Sequence, residues 1–265
     1  MSNDYTAIIL AAGKGTRLRP LTNRIPKCMI PVDGKPMLEW QLEVLVESGI
    51  ENIIVVTGYL EDKIDDLRIT KVHNSVYDST NMVHSLFCAE KYLEGKVIVS
   101  YGDIIYSKRV LQKLMDNEQD MVVASDMQWL PYWQKRCSDP LSDAETFETG
   151  PWQTVLSLGG EPNATEEIDG QYIGLTKLSD RGCRLVKEAY HNCRDHSKRA
   201  DDAWGSGRDL RNAYMTDLLN HFARTRELFY TPIQRGWFEV DTPMDLDIAY
   251  RQIRDSKKRV DMSYS

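Results

Sequence analysis

The sequence predicts an α/β fold: a mostly parallel sheet with helices on both faces. Three observations point there. Short apolar, β-branched runs recur through the first half of the chain, AIILA at 7–11, IIVVT at 53–57, VIVS at 97–100 and MVVA at 121–124. Stretches with helical spacing of apolar residues lie between them. Runs apolar on both faces mark strands covered on both sides, the pattern of parallel sheets joined by crossover helices. Finally, Gly13 and Asp103 fall just after two of these runs, on the carboxyl edge where open α/β sheets bind ligands.

Taken in order, the strand at 7–11 ends in a glycine-rich turn. Residues 37–48 set Leu38, Leu42, Leu45 and Val46 at helical spacing, with Gly49 as the stop. A strand at 53–57, a short helix at 61–67 and a strand at 71–73 follow. Residues 80–93 have helical spacing, with Ser79 or Thr80 as N-cap. The strand at 97–100 leads into Tyr101-Gly102-Asp103, and a helix at 110–115 precedes the strand at 121–124. Then the rhythm changes: Trp129, Pro131, Tyr132, Trp133, Pro140, Pro151 and Trp152 break the periodicity. Residues 126–170 are therefore read as an insertion within a single domain spanning 1–265. A strand at 172–178, helices at 183–190 and 213–223 around a charged loop at 195–209, a strand at 237–241 and a last helix at 245–255 complete the chain, with a frayed tail at 257–265. No internal repeat is present.

Composition narrows the function. The chain has 265 residues, a net charge of −7 and 42% hydrophobic residues. That balance argues against nucleic acid as a partner, which requires a basic surface, but not against small anionic substrates met by locally concentrated positive charge. The five cysteines are scattered without a C-x-x-C pair, so neither a zinc site nor a disulfide framework is indicated. No basic leader precedes the first apolar run, which is too short for a signal peptide or a membrane span. A cytoplasmic protein with no membrane partner is expected.

The segment LAAGKGTRLRPLT at 10–22 opens the chemical case. Leu10, Ala11, Ala12, Gly13 and Gly15 allow backbone amides to approach a triphosphate, and Arg17 and Lys14 can neutralise it. The segment lacks the G-x-x-x-x-G-K-[ST] of ATPase loops and, with Leu18 at the third glycine position, the dinucleotide fingerprint. A plain tight turn is the alternative. With Pro26-Lys27 following, the full pattern resembles the nucleotidyltransferase superfamily of sugar-1-phosphate and choline-phosphate transferases, whose Rossmann-like fold is the nucleotide-diphospho-sugar transferase type. The resemblance implies that Ala11, Ala12 and Gly13 line the base and ribose. It implies further that Gly15, Thr16 and Arg17 hold the β- and γ-phosphates, and that Lys27 and Arg17 are catalytic. Lys27 would reach the α-phosphate, where one anion attacks another and positive charge is required.

Asp103, after Gly102 at the end of a buried strand, can bind a hard cation bridging phosphate oxygens. Glu239 and Asp241 alternate on one strand and so project from one face; a polar edge-strand face is the alternative. The resemblance makes Asp103, Glu239 and Asp241 a Mg2+ site, the metal acting as Lewis acid and template.

The segment NSVYDSTNMVHS at 74–85 is similar to the cytidylyl branch, with Asn81 and Ser85 addressing the cytosine edge. Residues 129–145, 166–175 and 214–217 resemble a narrower subgroup that acts on phosphonates or phosphoglutamine in capsule synthesis. Arg136, Glu167, Gln171, Tyr172 and Trp129 are the expected acceptor contacts; alternatively, Trp129, Trp133 and Trp152 form an aromatic cage for choline. The expectation is a Mg2+-dependent enzyme transferring CMP from CTP to a small phosphate or phosphonate acceptor, with release of pyrophosphate. Choline-phosphate cytidylyl transfer and sugar-1-phosphate transfer from UTP or dTTP are the enzymatic alternatives. A regulatory nucleotide-binding protein is the non-enzymatic one. A homodimer is left open.

Overall fold

The computed structural model describes residues 4–196 and 200–263. Along the chain come β1 (Tyr5–Ala11), the short pair β2 (Pro31–Val32) and β3 (Lys35–Pro36), α1 (Met37–Glu47), β4 (Asn52–Thr57) and β5 (Ile69–His73). Next are α2 (Met82–Cys88), β6 (Lys96–Tyr101), β7 (Ile104–Tyr106), α3 (Lys108–Met115) and β8 (Met121–Asp126). Then follow α4 (Trp129–Arg136), β9 (Phe147–Thr149), β10 (Val155–Leu158), β11 (Gln171–Leu178) and α5 (Asp180–Arg194). The chain closes with α6 (Met215–Arg224), β12 (Phe229–Ile233), β13 (Trp237–Glu239) and α7 (Pro243–Ser263).

The main sheet has seven strands in the order β12-β8-β11-β6-β1-β4-β5. β1 lies parallel between β4 and β6, whereas β11 runs antiparallel to both β6 and β8. Alternation along β1 assigns the two faces. Ala7, Ile9 and Ala11 join the cluster that holds Leu38, Leu42 and Leu45 of α1 and Leu111 and Leu114 of α3. Ile8 and Leu10 join the opposite cluster, with Leu86 of α2 and Leu218, Leu219 and Phe222 of α6. Each fully buried leucine, isoleucine or phenylalanine among them contributes roughly 1.5–3 kcal/mol. The expected α/β class, helices on both faces of a mostly parallel sheet, is the one observed.

Several elements differ from expectation. The helix at 61–67 shrinks to a 3-10 turn, Glu61–Lys63, entered through Leu60 in the left-handed region. α2 starts at Met82 and is capped by Asn81, not by Ser79 or Thr80, and a 3-10 turn, Glu90–Tyr92, replaces its second half. β12 carries no clear alternation in sequence; it sits at the sheet edge, where Pro232 is tolerated. Between β8 and β11, α4 places Pro131 in its first turn, where the missing N–H loses nothing. β9 and β10 pair as a hairpin on that same stretch. α7 continues to Ser263 through most of the expected tail, while residues 264–265 and, in the charged loop, 197–199 lie outside the described residues.

Candidate active site

β1 delivers the glycine-rich loop to the carboxyl edge of the sheet, and its neighbours fix the backbone there. Gly102 N–H donates to Leu10 O at 2.9 Å, and Tyr59 N–H to Ala12 O at 3.1 Å. The two loop glycines have different reasons to be glycine. Gly15 has φ +58°, and a Cβ added there would stand 2.9 Å from Lys27 Cβ, so the protein itself demands it. Gly13 has no left-handed φ, and an added Cβ would meet no heavy atom within 4 Å. Nothing in the protein needs Gly13 to be bare; the open space lies on the wall of the cavity. Beneath the loop, Thr22 Oγ1 donates to Gly15 O at 2.9 Å, and Leu18 is buried in a cluster with Ile30, Val32, Val240 and the Ala249 and Ile253 of α7.

That cavity, of about 490 Å3, gathers most of the residues singled out from sequence. Its wall holds Leu10, Ala11, Ala12, Gly13, Gly15, Thr16 and Arg17, then Lys27, Asn81, Ser85, Gly102 and Asp103, and finally Gln171, Tyr172, Glu239 and Asp241. Three expected acceptor contacts are outside it. Trp129 is buried, its indole N–H donating to Ile168 O at 3.1 Å. Glu167 is exposed and accepts from Asn163 N at 2.9 Å. Arg136 is buried behind the cavity against Asp245 and Glu239. Nor do the three tryptophans form a cage: Trp133 lines the cavity, Trp129 is core, and Trp152 is 92% exposed at the β9–β10 turn. Burial of aromatic surface decided two of these positions, a force that spacing alone does not reveal.

Charge is arranged in alternation across the cavity floor. Lys27 Nζ donates to Asp103 Oδ2 at 2.6 Å and to Asp241 Oδ1. Arg17 Nη2 donates to Asp241 Oδ2 at 2.6 Å. Burial by itself would lower the Lys27 ammonium, but Asp103 and Asp241 carry it well above the usual lysine range. Asp241 is raised by burial and lowered more strongly by Lys27 and Arg17, so it stays ionised. Glu239 is pushed up to about 8 by burial, a shift that Arg136 opposes and that Asp241 and Asp103 reinforce. Cys28, next to Lys27, is raised to about 12 by burial and is no nucleophile.

The three carboxylates expected to hold a metal are thus near one another but engaged with cations. Among the described residues no group of three His, Cys, Asp or Glu side chains is gathered as a metal cage. The physical reason is local: Lys27 stands between Asp103 and Asp241, and Arg136 Nη1 faces Glu239 Oε2 at 2.7 Å. One atom is spare. Asp103 Oδ1 is buried and has no hydrogen-bond partner, an acceptor that a hard cation would satisfy. Asp103 and Asp241 are held in register by β7 and β13, where Glu239 pairs with Ile104 and Val240 N–H donates to Asp103 O at 3.0 Å.

The remaining walls were less legible. Asn81 Oδ1 accepts from Met82 N at 3.0 Å as the cap of α2, and Ser85 Oγ accepts from Asn74 Nδ2 at 3.1 Å. Tyr101 and Tyr172 meet edge to face at 5.7 Å, and Gly174 (φ +78°) lies on the Tyr101 ring, where a Cβ would come within 2.5 Å. A glycine inside a strand was the available signal for that close approach. Asp143, Glu145, Tyr214 and Thr216 also line the cavity; they lie in stretches 129–145 and 214–217, singled out by resemblance without a role for these four residues. The Glu145 carboxyl is pushed up to about 7 by burial and by Asp217 and Asp143, against Arg208. No helix among the described residues is long and apolar enough to cross a membrane.

Comparison with known proteins agrees with this geometry. The profile of the MobA-like NTP transferase domain matches residues 7–159. The chain is 37% identical to the CTP:phosphoglutamine cytidylyltransferase of Campylobacter jejuni over 91% of this chain and 98% of that protein. It is 39% identical to the 2-aminoethylphosphonate cytidylyltransferase of Lancefieldella rimae over 38% of this chain and 44% of that one. The solved CTP:phosphocholine cytidylyltransferase of Streptococcus pneumoniae shares the fold, with a TM-score of 0.70 at 23% identity, covering 94% of this chain and 99% of that one. With the glycine-rich loop, Lys27 and Asp103 converging on one cavity, the chain belongs to the family of MobA-like NTP transferase domains and is a nucleotidyltransferase.

Proposed function

We infer that the enzyme transfers CMP from CTP to a small phosphate- or phosphonate-bearing acceptor. An acceptor oxygen bonds to the α-phosphorus of CTP, the bond from that phosphorus to the bridging oxygen breaks, and pyrophosphate leaves with the electron pair. The acceptor oxygen is already ionised, so no side chain has to remove a proton. The observation that carries this inference is the single cavity onto which the bare Gly13 loop, Arg17, Lys27 and Asp103 all open. The loop amides and Arg17 take the β- and γ-phosphates. Lys27 stabilises the charge that builds at the α-phosphate.

Magnesium suits the carboxylates. When bound it neutralises and templates the triphosphate oxygens. Asp103, with Oδ1 unpartnered, and Asp241 are its principal holders, and Glu239 supplies the third carboxylate. A triphosphate entering the loop attracts Lys27 and Arg17, and that releases Asp241 for the metal. For the base, Asn81 has its carbonyl committed to the helix cap, so its amide N–H2 is the group that addresses the acceptor atoms of cytosine. Asp143 is met by Arg17, 3.7 Å away, but Glu145 adds a further carboxyl to the wall, which fits an acceptor that carries an amino group beside its phosphate. Phosphoglutamine and 2-aminoethylphosphonate, the substrates named for two relatives, are the first to test.

The test is pyrophosphate release with each of the four nucleoside triphosphates and Mg2+, across phosphoglutamine, 2-aminoethylphosphonate, choline phosphate and hexose 1-phosphates. Turnover with CTP and an amine-bearing acceptor is expected. Turnover confined to UTP or dTTP with a hexose phosphate would sink the cytidylyl assignment.

A further inference from the structure

The geometry points to Arg136 as a positioning residue that sets the metal-binding carboxylates from behind, through Asp245, rather than as a contact to the acceptor. This rests on the assignment of Asp103, Asp241 and Glu239 to the metal. Arg136 ends α4, and its side chain is 3% exposed. Its guanidinium packs on the Trp133 ring at 4.8 Å and the Tyr132 ring at 5.4 Å. Although it is not on the cavity wall, all its charged partners bear on the site. Nε donates to Asp245 Oδ1 at 2.8 Å, Nη2 lies 3.5 Å from Asp245 Oδ2 and 3.6 Å from Asp143 Oδ2, and Nη1 faces Glu239 Oε2 at 2.7 Å.

Asp245 passes this anchorage on. It is 1% exposed, and its Oδ2 accepts from Asp241 N at 3.0 Å, Thr242 N at 2.8 Å and Thr242 Oγ1 at 3.0 Å. Thr242 Oγ1 in turn receives Asp245 N at 3.3 Å, a reciprocal cap on the first turn of α7. A helix cap needs only Thr242 and Asp245. The extra feature is that the cap also grips the backbone amide of Asp241, whose carboxylate meets Lys27 and Arg17. The planar guanidinium then meets the cap and Glu239 from separate edges of one rigid fork, where a lysine would offer a single point charge on a flexible stem. Partners one step behind metal ligands orient them, and losing such a partner weakens metal binding by about 10- to 100-fold.

The experiment compares the wild type with Arg136→Met, Arg136→Lys and Asp245→Asn, with folding checked by thermal melting. Mn2+ binding to enzyme held in excess over CTP is followed by electron paramagnetic resonance, alongside steady-state kinetics. Arg136→Met and Asp245→Asn are expected to weaken Mn2+ binding by about 10- to 100-fold and to lower kcat, leaving the acceptor KM within about twofold. Arg136→Lys should fall between them and the wild type. Should Arg136→Met fail to fold, Arg136→Lys and Asp245→Asn carry the comparison. Unchanged Mn2+ binding in folded variants would overturn the proposal, as would a raised acceptor KM as the sole defect. Absence of Mn2+ binding in the wild type would instead overturn the metal assignment beneath it.

Discussion

Lys27 sits between two carboxylates that would otherwise repel each other in a largely enclosed space, which makes it their shared counter-ion and, under the proposed transfer, the cation at the α-phosphate. Its ammonium remains charged across the working pH range because Asp103 and Asp241 outweigh the effect of burial. Lys27→Ala should therefore act mainly on kcat, lowering it by about two to three orders of magnitude, as for a lost charge-stabilising donor. An effect confined to acceptor KM, in steady-state kinetics, would contradict that role. Gly13 offers a sharper contrast with Gly15. Because an added methyl at Gly13 meets no protein atom, Gly13→Ala should melt with the wild type, yet raise the CTP KM by about tenfold or more, equivalent to about 1.4 kcal/mol. Gly15→Ala, strained at φ +58° and crowded by Lys27, should instead lower the melting temperature. If both variants lost stability alike, the space at Gly13 would not be reserved for a ligand.

At the scale of elements, the strands that read most plainly from sequence were those whose burial is two-sided, although the exposed edge strand β5 was read as well. β1, β4, β6 and β8 announced themselves through unbroken apolar runs in their middles, and the loop after β1 through its glycines, of which Gly15 serves backbone geometry. β12 did not, because an edge strand carrying Pro232 has no such constraint, and α4 did not, because its aromatics bury by shape rather than by helical spacing. The same division runs through the site. Residues on the strand ends, Ala11, Gly102 and Asp103, were legible one by one; Asp143 and Glu145, brought in by the chain between β8 and β11, were legible only as part of a stretch, because only the fold carries those two side chains to the cavity. α2 shows one residue serving both levels. Asn81→Ala removes the cap and should cost about 1 kcal/mol of stability. Asn81→Asp keeps a capping oxygen at the positive end of the helix but loses the amide donor. Melting close to wild type together with weakened CTP binding, by calorimetry, is the expected outcome for Asn81→Asp. CTP binding equal to wild type would remove Asn81 from the base site.

Across the whole molecule, whose net charge is −7, the cavity sets Arg17 and Lys27 against Asp103, Asp143 and Asp241, and adds the Glu145 carboxyl to its wall. Under the proposed transfer this arrangement orients the acceptor, phosphate toward Lys27 and amine toward Glu145. It also has a signature in pH, centred on Glu145. Its carboxyl is raised to about 7 in the fold, from the ordinary glutamate value of 4.5, chiefly by burial and then by Asp217 and Asp143. The sign follows from that direction: the fold disfavours the ionised form, so a stability penalty enters as pH rises past about 4.5 and is complete above about 7. Glu145 keeps contact with solvent at the cavity, which screens that penalty, so its effect on melting is small. Its effect on the acceptor is direct. An amine-bearing acceptor binds the ionised carboxylate best, so its KM should fall as pH rises from 6 to 8, while the CTP KM follows no such trend. Glu145→Gln should abolish this slope and leave a high, pH-independent acceptor KM. An acceptor KM that stays flat over that range in the wild type would show that the acidic wall does not bind the amine.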